Sequence, residues 1–200
     1  MTDATAEMLD IVFDVSGDTL PANYPFALWD ALVRHAPALA TDESVGVLPL
    51  RTSPSDAGML LPKRTKLVLR LPASLAGHAA TLSGKELDLG TSMLRLGASK
   101  PRAIQPHCTL HAHLVSTAEG EVEFIESISV RLDELGVAGK LICGLRGSMT
   151  APGRTIQGYS LVIHDLKPDA SLRLQYTGLG ADRRFGCGIF LPHKAISDLD

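Results

Sequence analysis

The sequence predicts an α+β fold built from two tandem copies of one β-α-β-β-α-β unit, and three observations carry that expectation. Segments whose apolar residues alternate with period two are interleaved with segments of period near 3.6, and the order βαββαβ occurs twice. Each half places a proline, Pro72 or Pro168, at the entry to its last helix and a glycine-containing turn before the strands that follow. Charge changes sign in corresponding blocks: residues 1–50 hold eight acids against Arg34 alone, and residues 51–102 hold nine bases against Asp56, Glu86 and Asp88. Residues 103–139 then carry six acids against Arg131, and residues 140–184 seven bases against three acids. Two tandem ferredoxin-like domains, residues 1–100 and 101–200 joined near "GASKPRAIQP", account for this pattern most economically.

Each element has a local reason. Alternation in "MLDIVFDV" gives a strand, and Pro25 opens a helix on which Leu28, Ala31, Leu32 and His35 share a face. "VGVLPLR" and "TKLVLRLP" read as strands separated by a loop at "TSPSDAG". A short helix at "ASLAGHAATL" and strands at "KELDL" and "SMLRLG" complete the half. In the second half "HCTLHAHLVS" is a strand, and "EVEFIESISVRLDELG" is a helix stopped by Gly136. "GKLICGLRGSMT" and "RTIQGYSLVIHDL" form a strand pair, "KPDASLRLQY" a helix and "CGIFLP" the last strand.

Composition excludes several classes. A formal charge of −3 and a pI near 6.1 argue against an indiscriminate polyanion binder. The paired basic blocks instead suggest two halves presenting one surface to a polyanion. No apolar run approaches the length of a membrane span, and the N-terminus is acidic where a signal peptide would be basic, so the reading is cytoplasmic with no membrane partner. Cys108, Cys143 and Cys187 lie far apart, with no spacing for a zinc ribbon or a disulfide framework.

The densest local signal is "GLGADRRFGCG", residues 178–188, with four glycines and two adjacent arginines. A phosphate-binding P-loop would need Lys and Ser/Thr after the last glycine, whereas Gly188 is followed by Ile189, Phe190 and Leu191. A dinucleotide fingerprint would need a helix after the glycines, and a strand follows. What remains is a loop leading into a strand, with Arg183 and Arg184 available to phosphate oxygens.

"GLGADRRFGCGIFLP", together with the opening "DIVFDVSGDTLPANYPFALWDALVRHAP" and "GVLPLR", resembles the CRISPR-associated endoribonucleases that process precursor CRISPR RNA. These form the sixth Cas family, within the repeat-associated mysterious protein superfamily, and the likeness is to its short myxobacterial-type branch. The resemblance implies two ferredoxin-like domains, binding of a CRISPR repeat RNA, and cleavage within it without a metal or other cofactor. In that chemistry the ribose 2′-OH attacks the adjacent phosphorus and leaves 2′,3′-cyclic phosphate and 5′-OH ends. Histidine suits the proton transfers and Lys or Arg the phosphorane charge. By the same resemblance, Gly178, Gly180, Gly186 and Gly188 let RNA or a neighbouring element approach, and Arg183 and Arg184 hold phosphate. The catalytic histidine of the family sits in or just after the first helix, where this chain has His35. At positions where relatives of the branch carry histidine, it has Tyr24, which could orient a 2′-OH, and Leu48. That departure admits a second reading, a repeat-RNA-binding subunit of a CRISPR effector complex that does not cut.

Three further sets of residues are candidates. His107, His111 and His113 share one face of the strand "HCTLHAHLVS" with Thr109. They face RNA or solvent, or else, with a further ligand, hold the zinc of a metal-dependent hydrolase. Arg146 and Arg154 flank the hairpin turn "GSMTAPG", a candidate wedge for the base of an RNA stem. Lys63, Arg64 and Lys66 supply general phosphate attraction. His78, His164 and His193 read as isolated surface or strand-edge residues.

Overall fold

The computed structural model describes residues 7–56 and 58–194, and the chain divides into two compact units, Met1–Ala103 and Ile104–Asp200. In the first unit β1 (Met8–Ser16) and β2 (Thr19–Leu20) precede helix α1 (Tyr24–His35). Strands β3 (Gly46–Val47), β4 (Ser53–Ser55), β5 (Gly58–Leu60) and β6 (Lys66–Pro72) follow, then helix α2 (Ala76–Ala80), β7 (Glu86–Asp88) and β8 (Met93–Ala103). The main sheet runs β3-β6-β1-β8-β7 with every pairing antiparallel. Without β7 this is the strand order that a βαββαβ chain produces when each crossover helix returns over the same face.

Alternation decides what each strand buries. Ile11 and Phe13 of β1, with Leu67, Leu69 and Leu71 of β6, go into the core with Leu28, Ala31 and Leu32 of α1. Asp10, Val12 and Asp14 take the other face. Asp10 and Arg70 are buried opposite each other, Arg70 donating from Nε to Asp10 Oδ1 at 2.8 Å and from Nη2 to Oδ2 at 3.2 Å. Arg102 adds a third bond to Oδ2 at 3.0 Å.

Three local expectations are corrected here. "VGVLPLR" keeps only two paired residues, because Pro49 has no N–H to continue a ladder. The expected loop at "TSPSDAG" contributes β4 and leads into β5, which with β2 forms a small separate sheet. "GASKPRAIQP" is mostly strand, since β8 continues along β1 as far as Ala103.

The second unit contains β9 (Leu110–Ser116), α3 (Glu121–Glu134), β10 (Lys140–Ala151), β11 (Arg154–His164), α4 (Pro168–Thr177) and β12 (Phe190–Pro192). Its sheet order, β10-β11-β9-β12, repeats that of the first unit. Leu110, Ala112, Phe124, Ile128, Leu132, Leu161, Ile163, Leu174 and Phe190 form one core between sheet and helices. The long hairpin β10–β11 turns at Pro152 and Gly153, whose φ of 75° suits the glycine. A bulge between Cys143 and Arg146 interrupts the ladder and turns Leu145 out to 87% exposure. Among the described residues no helix is long and apolar enough to cross a membrane.

Candidate nucleic-acid interface

Residues 178–188 fold back on themselves between α4 and β12. The ends of the loop meet where Leu179 N–H donates to the Gly188 carbonyl at 3.1 Å, and Gly188 N–H donates onward to Leu114 of β9 at 2.7 Å. Two glycines show why bare backbone is needed. A Cβ on Gly188, where φ is +66°, would run into the Leu179 carbonyl, and one on Gly180 would sit 3.3 Å from the Ser116 carbonyl oxygen. The close approach is therefore by β9 and by the loop's own returning chain. Ser116 Oγ fixes the apex, bonding the carbonyl of Ala181 at 3.1 Å and its N–H at 3.2 Å.

Within the loop a short 3₁₀ turn, Arg183–Phe185, runs between Asp182 and Gly186, both in the left-handed region. The two arginines diverge there. Arg184 is exposed, as a phosphate contact requires. Arg183 is buried, and its Nη1 donates to the Thr177 carbonyl at 2.6 Å, bracing the loop from inside. Gly178 makes that possible, because a Cβ there would overlap the Arg183 guanidinium. The expectation that Arg183 is available to phosphate is thus corrected.

The hairpin joins this loop through Arg154. Its Nη2 bonds Asp182 Oδ1 at 2.6 Å, and its guanidinium lies 4.6 Å from the centre of the Phe185 ring, which Arg184 approaches at 5.9 Å. Arg146 lies along the same strand pair, donating to Gln157 Oε1 at 3.0 Å and lying 5.6 Å from the Tyr159 ring centre. Ser116, Thr117, Arg154, Gln157 and Asp182 line an open depression of about 380 Å³ between hairpin and loop. Asp182 and Phe185, absent from the sequence-based candidates, hold the arrangement together. The only sequence signal for Asp182 is that aspartate tolerates positive φ better than most residues.

The other candidates scatter. His35 is the last residue of α1 and is exposed, whereas its expected face partners Leu28, Ala31 and Leu32 are buried. The core ends one turn before it, and Ala36 takes the next buried position. Tyr24 opens the same helix, eleven residues and about 16 Å of backbone rise before His35. Its hydroxyl accepts the Leu50 N–H at 3.2 Å, and burial raises its pKa although that bond lowers it. Leu48 is buried, with its N–H on the Val68 carbonyl.

Lys63 and Arg64 are exposed in the turn before β6, whereas Lys66 is ion-paired with Asp14, whose pKa that pairing lowers. His107 precedes β9 rather than lying on it, because its N–H donates to Ser171 Oγ of α4 at 2.9 Å. The imidazole face expected of residues 107, 111 and 113 is therefore not formed. Among the described residues no group of three or more His, Cys, Asp or Glu is placed to hold a metal ion. His193, read as isolated, instead lies 5.4 Å ring to ring from His111, and His113 lies 6.5 Å from His111 on the other side.

Comparison with known proteins places this geometry. Residues 9–195 match the family model described as Cas6 Crispr. The chain is 34% identical over 186 residues to the CRISPR-associated endonuclease Cas6 of Myxococcus xanthus, covering 92% of this chain and 81% of that protein. A solved structure of a Cas6-related protein from Pyrococcus furiosus superposes with a TM-score of 0.68 at 12% identity, over 94% of this chain and 99% of the other. Cse3 of Thermus thermophilus, solved bound to an RNA representing a pre-cleavage complex, gives 0.50 at 13% identity, over 92% and 98%. At such identities the two structures speak for the fold alone, but the family match and the Myxococcus relative span nearly the whole sequence. This chain belongs to the Cas6 family.

Proposed function

We propose that this protein binds a CRISPR repeat RNA and cuts it at one phosphodiester by metal-independent attack of the ribose 2′-OH. The observation that carries the reading is the junction of hairpin and glycine loop, where Arg154 and Arg184 flank Phe185 and Arg146 continues the row along the hairpin. Planar guanidinium groups held by neighbours lose little entropy on meeting phosphate and suit an RNA backbone. Lys63 and Arg64 add exposed positive charge on the first unit. Membership of a family that includes an endonuclease of Myxococcus xanthus supports assigning RNA processing to this chain.

For the chemical step, His35 is the residue of choice, being an exposed imidazole at the end of α1. In its neutral form it takes the 2′-hydroxyl proton, O2′ bonds to phosphorus, the P–O5′ bond breaks, and O5′ takes a proton from solvent. The products are a 2′,3′-cyclic phosphate and a 5′-OH, and the bound product stays available to an effector complex. Tyr24 acts as a tie between α1 and the segment at Leu50 rather than at the phosphodiester.

End-labelled repeat RNA in EDTA, with and without a 2′-deoxy substitution at the cut, tests the reaction. Cleavage of the unmodified RNA alone is expected, lost in His35→Ala with binding kept and retained in Tyr24→Phe. Tight binding with neither RNA cut supports the second reading, a binding subunit without nuclease activity. Tyr24, whose hydroxyl accepts the Leu50 N–H, and Leu48, buried and apolar, favour that alternative, since neither offers an imidazole to the reaction.

A further inference from the structure

Four of the seven histidines converge on one surface, the face of the second sheet turned away from its helices. Leu110 and Ala112 of β9 point into the core, so His111 and His113 point the other way. Register then fixes their neighbours. His111 stands opposite Val162 of β11 on one side and Leu191 of β12 on the other, and Val162 stands opposite Ile142 of β10. Two residues beyond Val162, His164 is on the same face, and two beyond Leu191, His193 continues it, held by its N–H on the Thr109 carbonyl at 3.1 Å.

The result is a row of His193, His111 and His113 with spacings of 5.4 and 6.5 Å, set in a shallow apolar strip of Ile142, Val162 and Leu191. His113 and His193 flank His111 from opposite sides, so the three do not converge on one point as the ligands of a metal must. They form a track, stepped at about the interval between successive phosphates of an extended strand.

Electrostatics gives the track a particular property. Burial lowers the pKa of His111 first, and the neighbouring His193 and His113 lower it further. Facing it from β11 are Val162 and Ser160, and from β12 Leu191, none of them charged. His164 is beside Asp165, which also pairs with Lys140, and Lys194 follows His193. Among the described residues, the charges that shift His111 are those two imidazoles and not a carboxylate. A phosphate laid along the row would supply the missing counter-charge and draw a proton onto His111.

We propose that this histidine track is a contact for single-stranded RNA backbone whose grip tightens as the medium is acidified. It rests on the reading that the protein binds repeat RNA, and it adds to the arginine junction a second, proton-linked contact that includes His193. Aromatic residues make up only 4% of the chain, so imidazoles and the apolar strip stand where base-stacking rings would otherwise be needed.

The test measures affinity for a 2′-deoxy repeat RNA, which cannot be cut by 2′-OH attack, by fluorescence anisotropy from pH 8 to pH 5.5. Wild-type affinity is expected to rise about tenfold across the range, since one proton taken up on binding changes affinity up to about tenfold per pH unit. H111Q with H113Q and H193Q should lose that rise, its affinity changing little between pH 8 and pH 5.5, with the circular dichroism spectrum of wild type. H78Q, on α2 outside the track, should keep the wild-type profile. An unaltered pH profile in the triple variant, or no pH dependence in wild type, overturns the proposal. No binding of repeat RNA at any pH would instead overturn the functional reading beneath it.

Discussion

Replacing Gly188 and Gly153 separately by alanine distinguishes two reasons for a glycine. Both have positive φ, +66° and +75°. A Cβ on Gly153 would meet nothing within 4 Å, whereas one on Gly188 runs into the Leu179 carbonyl. Gly153→Ala therefore carries only the left-handed backbone penalty, about 1 to 2 kcal/mol. Gly188→Ala carries the same penalty and also pushes Leu179 away, breaking the bonds from Leu179 N–H to Gly188 and from Gly188 N–H to Leu114. At about 1 kcal/mol for each bond, the total becomes about 3 to 4 kcal/mol. Urea unfolding followed by circular dichroism reads the difference, and anisotropy with labelled RNA reads its consequence: Gly188→Ala should also lose affinity as the loop carrying Arg184 shifts. Equal destabilisation by the two substitutions would refute the claim that close backbone approach, rather than φ alone, fixes Gly188.

Asp10→Ala leaves the Arg70 guanidinium buried without its carboxylate, and should cost about 3 to 5 kcal/mol in the same urea experiment. Removing the pair together, Asp10→Leu with Arg70→Met, should cost less than Asp10→Ala alone, because no charge is left stranded. Burial and the nearby Asp182 push the Cys187 thiol up to about 12, with Arg154 opposing. Its folded pKa lies above the unfolded one, so this stabilising contribution is complete below pH 9 and is lost as pH rises from there through about 12. Cys187→Ala should flatten that alkaline decline. In native protein at pH 8, iodoacetamide should label exposed Cys108 and leave Cys187 intact until urea opens the fold.

Much of the architecture is legible in the sequence because the patterns are local. The period-two run in β11 and the 3.6-period runs in α1 and α3 each have one buried side, β6 is a near-continuous apolar run buried on both faces, and a repeated order of elements then restricts the sheet to few topologies. The site is less legible because its determinants are contacts between distant residues. Arg183 and Arg184 are adjacent in sequence, yet only the turn between Asp182 and Gly186 decides that one braces the loop and the other meets solvent. Spacing groups His107 with His111 if the strand begins early, and a bond to Ser171 Oγ, 64 residues away, takes it off the strand. His193 reads as isolated because the register of β12 on β9 cannot be inferred from either segment alone.

The same distinction governs how much of the basic charge can act on RNA. Residues 51–102 carry nine bases, but Arg70 is buried on Asp10, and Lys66, Arg95 and Arg102 pair with Asp14, Glu86 and Asp10. In the second block Arg183 is buried and Arg173 donates to the Leu135 and Gly136 carbonyls. A phosphate approaching a paired base must displace a carboxylate or share the cation, so such a base releases fewer counterions than an unpaired one. Lys63 and Arg64, exposed and in no ion pair with the described residues, should count in full. Lys63→Ala with Arg64→Ala should therefore flatten the slope of log affinity against log salt by about 1.4 to 1.8, whereas Arg95→Ala should change it by less than the about 0.7 to 0.9 of one full contact. Anisotropy titrations at four salt concentrations give these slopes. Equal changes per charge for Arg95 and for the Lys63–Arg64 pair would mean that the ion pairs place no restraint on RNA binding, and that the charge blocks of the sequence alone determine it.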